Sequence, residues 1–529
     1  MTLGIHGVPY PVGEYQTQPV VRGSASLATV HVGSGWARVD GVPLRCFLTA
    51  LTFPHPQRFH NRAYRDGRWD GNVSVNRGLS FPAGLVGVVR DHLEEQRIEV
   101  RVVNEYQSAR VDPDAITPGV LDGITLWDHQ LRLARRCIRV RRGVIHAPTA
   151  AGKTAMMLAA ARVFHDVHGW RSLIVEPKKG LAWQTVEQAA RFYGGRMTVG
   201  LCGDSRRGYG DLTVGTAQTL IGFDARRHGS GTIPGDFKIR EVIESADVLF
   251  LDECHHTSSD QWFTIAMACR AHRRYGVSAT PFRHDDLSDA RMIGATGPLV
   301  GHVEPAELMD AGLVTRPRIV VVRARGASEK EMEPVRGVYS PSYQDAYRRG
   351  VIESRAHNGA VVRAVEWMVD RGRRVLVLCR YRDHFQTLAR MLDGEGLDCE
   401  GLWGDTPIVE RDRVKARMAA GRLPVLLATG VMGEGEDLRG VSGIVLADGV
   451  KNASTALQRI GRGMRTGALS DGYLWVVDIV PVCHRTLRSH GESRVRAYAG
   501  SGYDVRVLTE WPEMGKGDDA GLLPFQEWD

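Results

Sequence analysis

In the stretch APTAAGKT, Ala147 to Thr154, Lys153 is the first lysine of the chain, although arginines are plentiful before it. Only 8 of the 68 basic residues are lysine, a bias that a GC-rich genome produces, so each lysine that survives is informative. An apolar run, GVIHAP, leads into this loop and a helical pattern leaves it from Thr154. That is the setting in which successive backbone N–H groups and a helix N-terminus surround phosphates, while a threonine hydroxyl reaches magnesium. A compact ammonium fits between the β- and γ-phosphates of a nucleotide, where a planar guanidinium would collide with a closely wrapped backbone. Ala150 and Ala151 do not spoil the cradle if they keep negative φ, and only Gly152 has to admit a close approach. Alone, the loop also reads as a plain strand-to-helix turn.

About a hundred residues on, DVLFLDECHH places Asp252 and Glu253 at the end of an apolar strand. Asp252 is suited to hold magnesium through water, and Glu253 to orient and deprotonate an attacking water. His255 and His256 suggest metal ligands, but without further Cys or His nearby a coupling or packing role fits better. Cys254 reads as a small packing residue. In QRIGRGMR, Gln458 to Arg465, three arginines (Arg459, Arg462 and Arg465) recur at three-residue intervals along one face of a helical pattern. Arginine from a second domain stabilises charge on a γ-phosphate in the transition state. A solvated basic face is the plainer reading.

These groups need rigid elements to hold them. From about 120 to 320, short runs rich in Val, Ile and Leu (GVIHAP, RSLIVEP, DLTVGT, DVLFLDE, RYGVSATP) alternate with helical patterns, which predicts a parallel sheet covered on both faces. The alternation returns between about 358 and 480 in RVLVLCR, PVLLAT, GIVLAD and YLWVVDI. The charged segment RARGASEKEMEPVRGVYSPS joins the two. The first 115 or so residues read as a small separate α+β domain. At 529 residues the chain is too long for a single core.

The net charge of +7 is weakly consistent with a polyanionic partner. The eight cysteines show no CxxC pair or zinc spacing, so no disulfide framework or structural metal is expected. No apolar run approaches a membrane span and no signal-peptide pattern opens the chain, so a soluble, cytoplasmic protein is expected, in the host cytoplasm if phage-encoded.

In order and spacing, residues 120 to 480 or so resemble a superfamily 2 helicase, with two tandem RecA-like domains. LWDHQ is similar to the adenine-recognising segment, with Gln130 as base contact; APTAAGKT, EPKKGLAWQ, VGTAQTL, DECHH, SATPFR, ATGVMGEGEDL and QRIGRGMR are similar to motifs I, Ia, Ib, II, III, V and VI. The resemblance implies an α/β fold of two RecA-like domains (116–318 and 319–500), preceded by a DNA-binding domain (1–115) and followed by a tail (501–529). It implies that Thr149, Ala150, Ala151, Gly152, Lys153, Thr154, Gly435 and Asp437 bind ATP, and that Thr154 and Asp252 hold Mg2+. Lys153, Asp252, Glu253, Gln458, Arg462 and Arg465 would be catalytic, with His255, Ser278 and Thr280 coupling. Lys178, Gln184, Thr216 and Thr429 would meet the nucleic-acid backbone. Two departures stand out: Trp127 where many relatives have arginine, and Glu436 where an apolar residue is usual.

The N-terminal stretch RFHNRAYRDGRWDGNVSVNRGLSFPAGL resembles the corresponding domain of the UvsW-like phage helicases. That resemblance implies ATP-dependent remodelling of branched DNA (forks, junctions, D-loops, R-loops) in phage recombination and replication, with DNA, branched or hybrid, as partner and RNA as a further one. Arg58, Arg62, Arg65 and Arg68 with Tyr64 and Trp69 read as a phosphate-and-stacking surface, or equally as a turn whose tryptophan is core. Alternatives to unwinding are a restriction-type double-stranded DNA translocase subunit and a non-unwinding ATP-gated clamp.

Overall fold

The computed structural model describes residues 27–106, 109–223, 226–228, 231–233, 236–282, 285–324, 343–429, 440–464 and 472–508. They fall into two compact units: one of residues up to Ala147 together with Ala151–Val303, the other of Pro148–Ala150 and Glu304 onward.

Six strands open the first unit: β1 (Leu27–Val32), β2 (Trp36–Asp40), β3 (Thr52–Pro54), β4 (Asn72–Ser74), β5 (Ser80–Pro82) and β6 (Glu99–Asn104). They make a four-stranded sheet in the order β5-β2-β1-β6, and β3 pairs with β4 as a separate ribbon. In LATVHV the pleat sends Ala28, Val30 and Val32 inward. The helix Val86–Glu95 lays Val86, Val89 and Leu93 on the same core. That apolar cluster continues without a break through Leu249, Leu251 and Ile265 of the following α/β part. Arg142 Nη2 also donates to the carbonyls of Gly33 and Ser34, at 3.2 and 2.9 Å.

The α/β part contributes β7 (Arg142–His146), β8 (Ser172–Glu176), β9 (Val199–Gly203), β10 (Arg206–Arg207), β11 (Leu212–Thr216), a ribbon of β12 (Arg226–His228) and β13 (Gly231–Ile233), β14 (Val248–Asp252), β15 (Arg273–Ser278) and β16 (Leu299–His302). Their order is β10-β9-β11-β8-β14-β15-β7-β16, parallel except for the edge strand β10. VLFLD is buried at all five positions, as a strand covered on both faces must be.

The second unit holds β17 (Arg316–Ala324), β18 (Val375–Leu378), β19 (Cys399–Leu402), β20 (Val425–Ala428), β21 (Gly443–Leu446), β22 (Tyr473–Pro481) and β23 (Asp504–Leu508), ordered β19-β20-β18-β21-β22-β17-β23 and parallel throughout. The expected architecture, two tandem RecA-like parallel sheets, is therefore present. The expected tail from 501 needs correction, because β23 pairs with β17 from Arg318↔Asp504 to Val322↔Leu508. Its alternating DVRVL suits an edge strand. A buried ion pair braces this unit: Arg494 donates to both Asp478 oxygens at 2.8 Å, and Tyr498 Oη adds a third bond at 2.9 Å. Among the described residues no helix is long and apolar enough to cross a membrane.

Candidate active site

β7 ends at His146, and after the loop a helix runs from Lys153 to His168, its Met156–Phe164 stretch wholly buried. Burying one helix on all sides fixes the direction of its N-terminus. No side chain caps that end, which leaves its first N–H groups for an anion. Gly152 sits at φ +71°, and a Cβ there would collide with the Gln130 amide. The expectation of negative φ at both alanines is corrected: Ala150 stands at φ +75°. Turning successive N–H groups toward one centre requires left-handed backbone before Gly152 as well, a strain of about 1–2 kcal/mol for a residue with a Cβ.

Lys153 Nζ lies 3.2 Å from Glu253 Oε1, joining the loop to the end of β14. Glu253 itself has φ +49°, which turns its side chain out of the strand's alternation. Asp252, 6% exposed, is pushed up to about 6, chiefly by burial and against the pull of Lys153. For Glu253, burial acts upward but Lys153 and His255 together outweigh it, holding this carboxyl below the usual range. A third acid joins them. Glu176, ending β8 and fully buried, is raised well above the ordinary range by burial and by Asp252. Thr185 Oγ1 donates to its Oε1 at 2.8 Å, which pulls the other way.

Lys153 acts on both Asp252 and Glu253, and Glu176 lies behind Asp252. Among the described residues no cluster of His, Cys, Asp or Glu could cage a metal by itself. A cation here would be held by a carboxylate, the Thr154 hydroxyl and phosphate oxygens, the manner in which magnesium binds with a nucleotide. Sequence reading passed over Glu176; the signal was an acid closing the apolar strand SLIVE.

Glu253 also anchors a chain of bonds. Ser278, buried at the end of β15, donates to Glu253 Oε2 at 3.0 Å and accepts from the Thr280 N–H at 3.1 Å. Its oxygen lies 3.0 Å from His255 Nδ1, and because the hydroxyl proton is committed to Glu253, Nδ1 carries the hydrogen of that contact. His255, Ser278 and Thr280 are thus brought together. His256 instead stacks on Trp262.

Gln130 is nearly buried: its Oε1 accepts the Trp127 N–H at 3.0 Å and its Nε2 donates to the Ala151 carbonyl at 3.1 Å. Trp127 leaves part of its ring exposed. Lys178 is exposed at the start of the helix Lys179–Tyr193, on which Gln184 is half-buried. Thr216 spends its hydroxyl capping the next helix through Thr219 N. In the second unit, Thr429 follows β20 and donates its N–H to Leu402 O at 3.0 Å. Gln458 and Arg462, four apart on the helix Ala453–Gly463, share its half-buried face. Arg459 faces inward and pairs with Asp448 at 2.7 Å, so the three arginines do not form one solvated stripe. Gly435, Asp437 and Arg465 lie outside the described residues.

In the N-terminal part, Arg62, Arg65 and Arg68 are exposed. Trp69 is half-buried and its Nε1 donates to Asn72 O at 2.9 Å.

Comparison with known proteins matches residues 123–283 to a family described as the type III restriction enzyme, res subunit, and residues 358–467 to the helicase conserved C-terminal domain. The ATP-dependent DNA helicase uvsW of Enterobacteria phage T4 is 21% identical over 491 residues, covering 85% of this chain and 92% of the relative. The DNA 3'-5' translocase XPB2 of Sulfurisphaera tokodaii is 26% identical over 250 residues, 46% of this chain and 49% of its own length, so the chain spans about half of that relative. Among solved structures, T4 UvsW superposes with a TM-score of 0.42 at 18% identity over 91% of this chain and 99% of that one. The helicase domain of Pyrococcus furiosus Hef gives 0.48 at 14% identity over 69% and 97%. With one family model lying over the phosphate loop and acid pair and the other over Gln458 and Arg462, the chain belongs to the superfamily 2 helicases and is an ATP-dependent, nucleic-acid-binding member related to UvsW.

Proposed function

We propose that the chain remodels branched DNA, namely forks, four-way junctions, D-loops and R-loops, in phage recombination and replication, at the cost of ATP hydrolysis with Mg2+. The observation that carries this reading is a basic, aromatic arm, residues 55–71, projecting from the β3–β4 ribbon, in a chain whose alignment with the phage T4 DNA helicase runs nearly end to end. The proposed functional division is 1–115, 116–318 and 319–500, the last extended by β17 from Arg316 and by β23 to Leu508.

In the proposed chemistry, Gly152, Lys153 and Thr154 bind the phosphates. Magnesium, held by Thr154 and Asp252, would neutralise charge on the phosphate oxygens. Glu253 is ionised at neutral pH and accepts the proton of the attacking water. When Lys153 turns from Glu253 to phosphate, Glu253 loses a positive neighbour and becomes the stronger base. Gln458, Arg462 and Arg465 act on transition-state charge, Gln130, Gly435 and Asp437 on the nucleotide, and Lys178, Gln184, Thr216 and Thr429 on the backbone of the tracked strand.

Unwinding by the full chain on forks, four-way junctions, R-loops, linear duplex DNA and duplex RNA tests the reading. Branched DNA should be the preferred substrate, with Lys153→Ala inactive on all of them. The match to a restriction-enzyme subunit favours one rival: hydrolysis stimulated equally by linear duplex, without strand separation, would establish a double-stranded DNA translocase instead.

A further inference from the structure

Between Pro54 and Asn72, the facing ends of the ribbon, the chain makes an arm in which no residue from 55 to 70 is buried. It carries four arginines (58, 62, 65, 68) against two aspartates (66, 70). An exposed loop of this length needs internal bonds to keep one shape, and it has them. The His55 N–H donates to Gly71 O at 2.8 Å, and the Arg68 and Trp69 N–H groups converge on Ala63 O at 2.8 and 3.1 Å. Asn61 Oδ1 caps the short helix Arg62–Arg65 through the Ala63 N–H.

Down its length runs a series of edge contacts between rings. His55 meets Trp69 at 5.8 Å, Trp69 meets Tyr64 at 6.4 Å, and Tyr64 meets Phe59 at 5.5 Å. Exposure rises along the series: Trp69 and Tyr64 are half-buried, while Phe59 is 62% exposed. Gly71, at φ +81°, lets the series close, since a Cβ there would stand 2.7 Å from the Tyr64 ring and 2.8 Å from Arg58 Cδ. Arg58 lies over the Phe59 ring at 4.9 Å. Trp69, with its Nε1 committed to Asn72, is a strut of the arm; the ring left for a partner is Phe59.

We infer that Phe59, backed by Arg58, stacks on an unpaired DNA base at the branch point, with Arg62, Arg65 and Arg68 along the flanking phosphates. An exposed ring gains from any base face without regard to sequence, and guanidinium groups beside it match the backbone charge. Double-stranded DNA offers the phosphates but no free base, so this pairing of groups distinguishes a branch from a linear duplex. The inference rests on the proposed branched-DNA reading and names the contact that would perform it.

The test uses the full chain and a DNA fork carrying 2-aminopurine at the branch point. Binding of the native protein should change the 2-aminopurine signal by stacking. Phe59→Ala should abolish that change and weaken fork affinity by roughly 5- to 150-fold, the range for one base–aromatic stack, with linear duplex affinity unchanged. Phe59→Trp should restore both. The melting temperature of Phe59→Ala should stay within about 1 °C of native because the ring is largely exposed, whereas Trp69→Ala should lower it. A Phe59→Ala protein that prefers forks as strongly as native overturns the stacking contact while leaving branched-DNA remodelling intact. A native protein with no fork preference overturns both, and a large fall in melting temperature for Phe59→Ala would show a structural ring.

Discussion

Replacing Ser278 by alanine removes one oxygen from the centre of a bond network. The hydroxyl is fully buried, donates to a charged carboxylate at 3.0 Å, and receives the Thr280 N–H and the His255 Nδ1 hydrogen at 3.1 and 3.0 Å. A hydrogen bond to a charged group contributes about 1.5–3 kcal/mol, and the two donors left behind add a penalty that partial relaxation offsets, so a loss of about 2–3 kcal/mol is expected. In a unit of this size, that is a fall of roughly 4–10 °C in melting temperature. Glu253 would keep Lys153 and His255 but lose the contact that ties it to β15. Turnover should fall about tenfold, and stimulation of hydrolysis by DNA should fall further, because Thr280 is no longer joined to the carboxylate proposed to activate water. Steady-state ATPase with and without forked DNA reads this directly. The double variant Ser278→Ala/His255→Ala sharpens it: residues of one network should couple by about 0.5–3 kcal/mol. Additive effects, or DNA stimulation within about twofold of native in the single variant, would refute the network as the link.

Four further outcomes are expected. Lys153→Arg should be as inactive in hydrolysis as Lys153→Ala while both still bind DNA; near-normal turnover of the arginine variant would remove the steric argument for lysine. Ala150→Gly should relieve the φ +75° strain and leave stability level or about 0.5–1 kcal/mol higher, since strain relief exceeds the entropy that glycine adds to the unfolded chain; thermal denaturation checks it, and a clear loss would point to packing of the methyl. Arg462→Ala should change ATP affinity little and cut turnover by roughly 10³-fold, as for a group engaged with transition-state charge; lost affinity at unchanged saturating turnover would contradict that role. The second unit should weaken in mild acid: burial lowers His357 to about 4 and His384 to about 3, so the unfolded state binds more protons below about 6.5 and stability is lost as pH falls from there toward 4. His357 alone is worth about 3 kcal/mol at about 1.4 kcal/mol per unit, and the near-ultraviolet signal of the stacked Trp367–Trp475 pair follows the transition.

Much of the architecture was legible because strands covered on both faces must be continuously apolar, as in VLFLD and VLVL. The loop and the acid pair could be placed because their positions follow from strand ends, whereas the His255–Ser278–Thr280 group came only from the helicase resemblance. What remained hidden depends on contacts between distant segments. Glu176 closes one strand and meets Asp252 on its neighbour, a pairing that only the sheet order reveals. Arginines three apart on a helix are rotated about 60° from each other, enough for Arg459 to face Asp448 while Arg462 lies on the half-buried face. The left-handed turn at Ala150 left no composition signal, because alanine normally avoids it. The Trp69 question, stacking or core, had a third answer: a strut inside an exposed arm whose outermost ring is Phe59.

In the proposed function, hydrolysis at Lys153, Asp252 and Glu253 drives remodelling of branched DNA. Fluorescence energy transfer between two arms of a labelled four-way junction, followed after ATP is added to the bound full chain, tests it most directly. An ATP-dependent separation of the labelled strands is expected, absent with Glu253→Gln although that variant still binds the junction. Hydrolysis that proceeds with the arms unmoved, or strand separation that persists in Glu253→Gln, would contradict it.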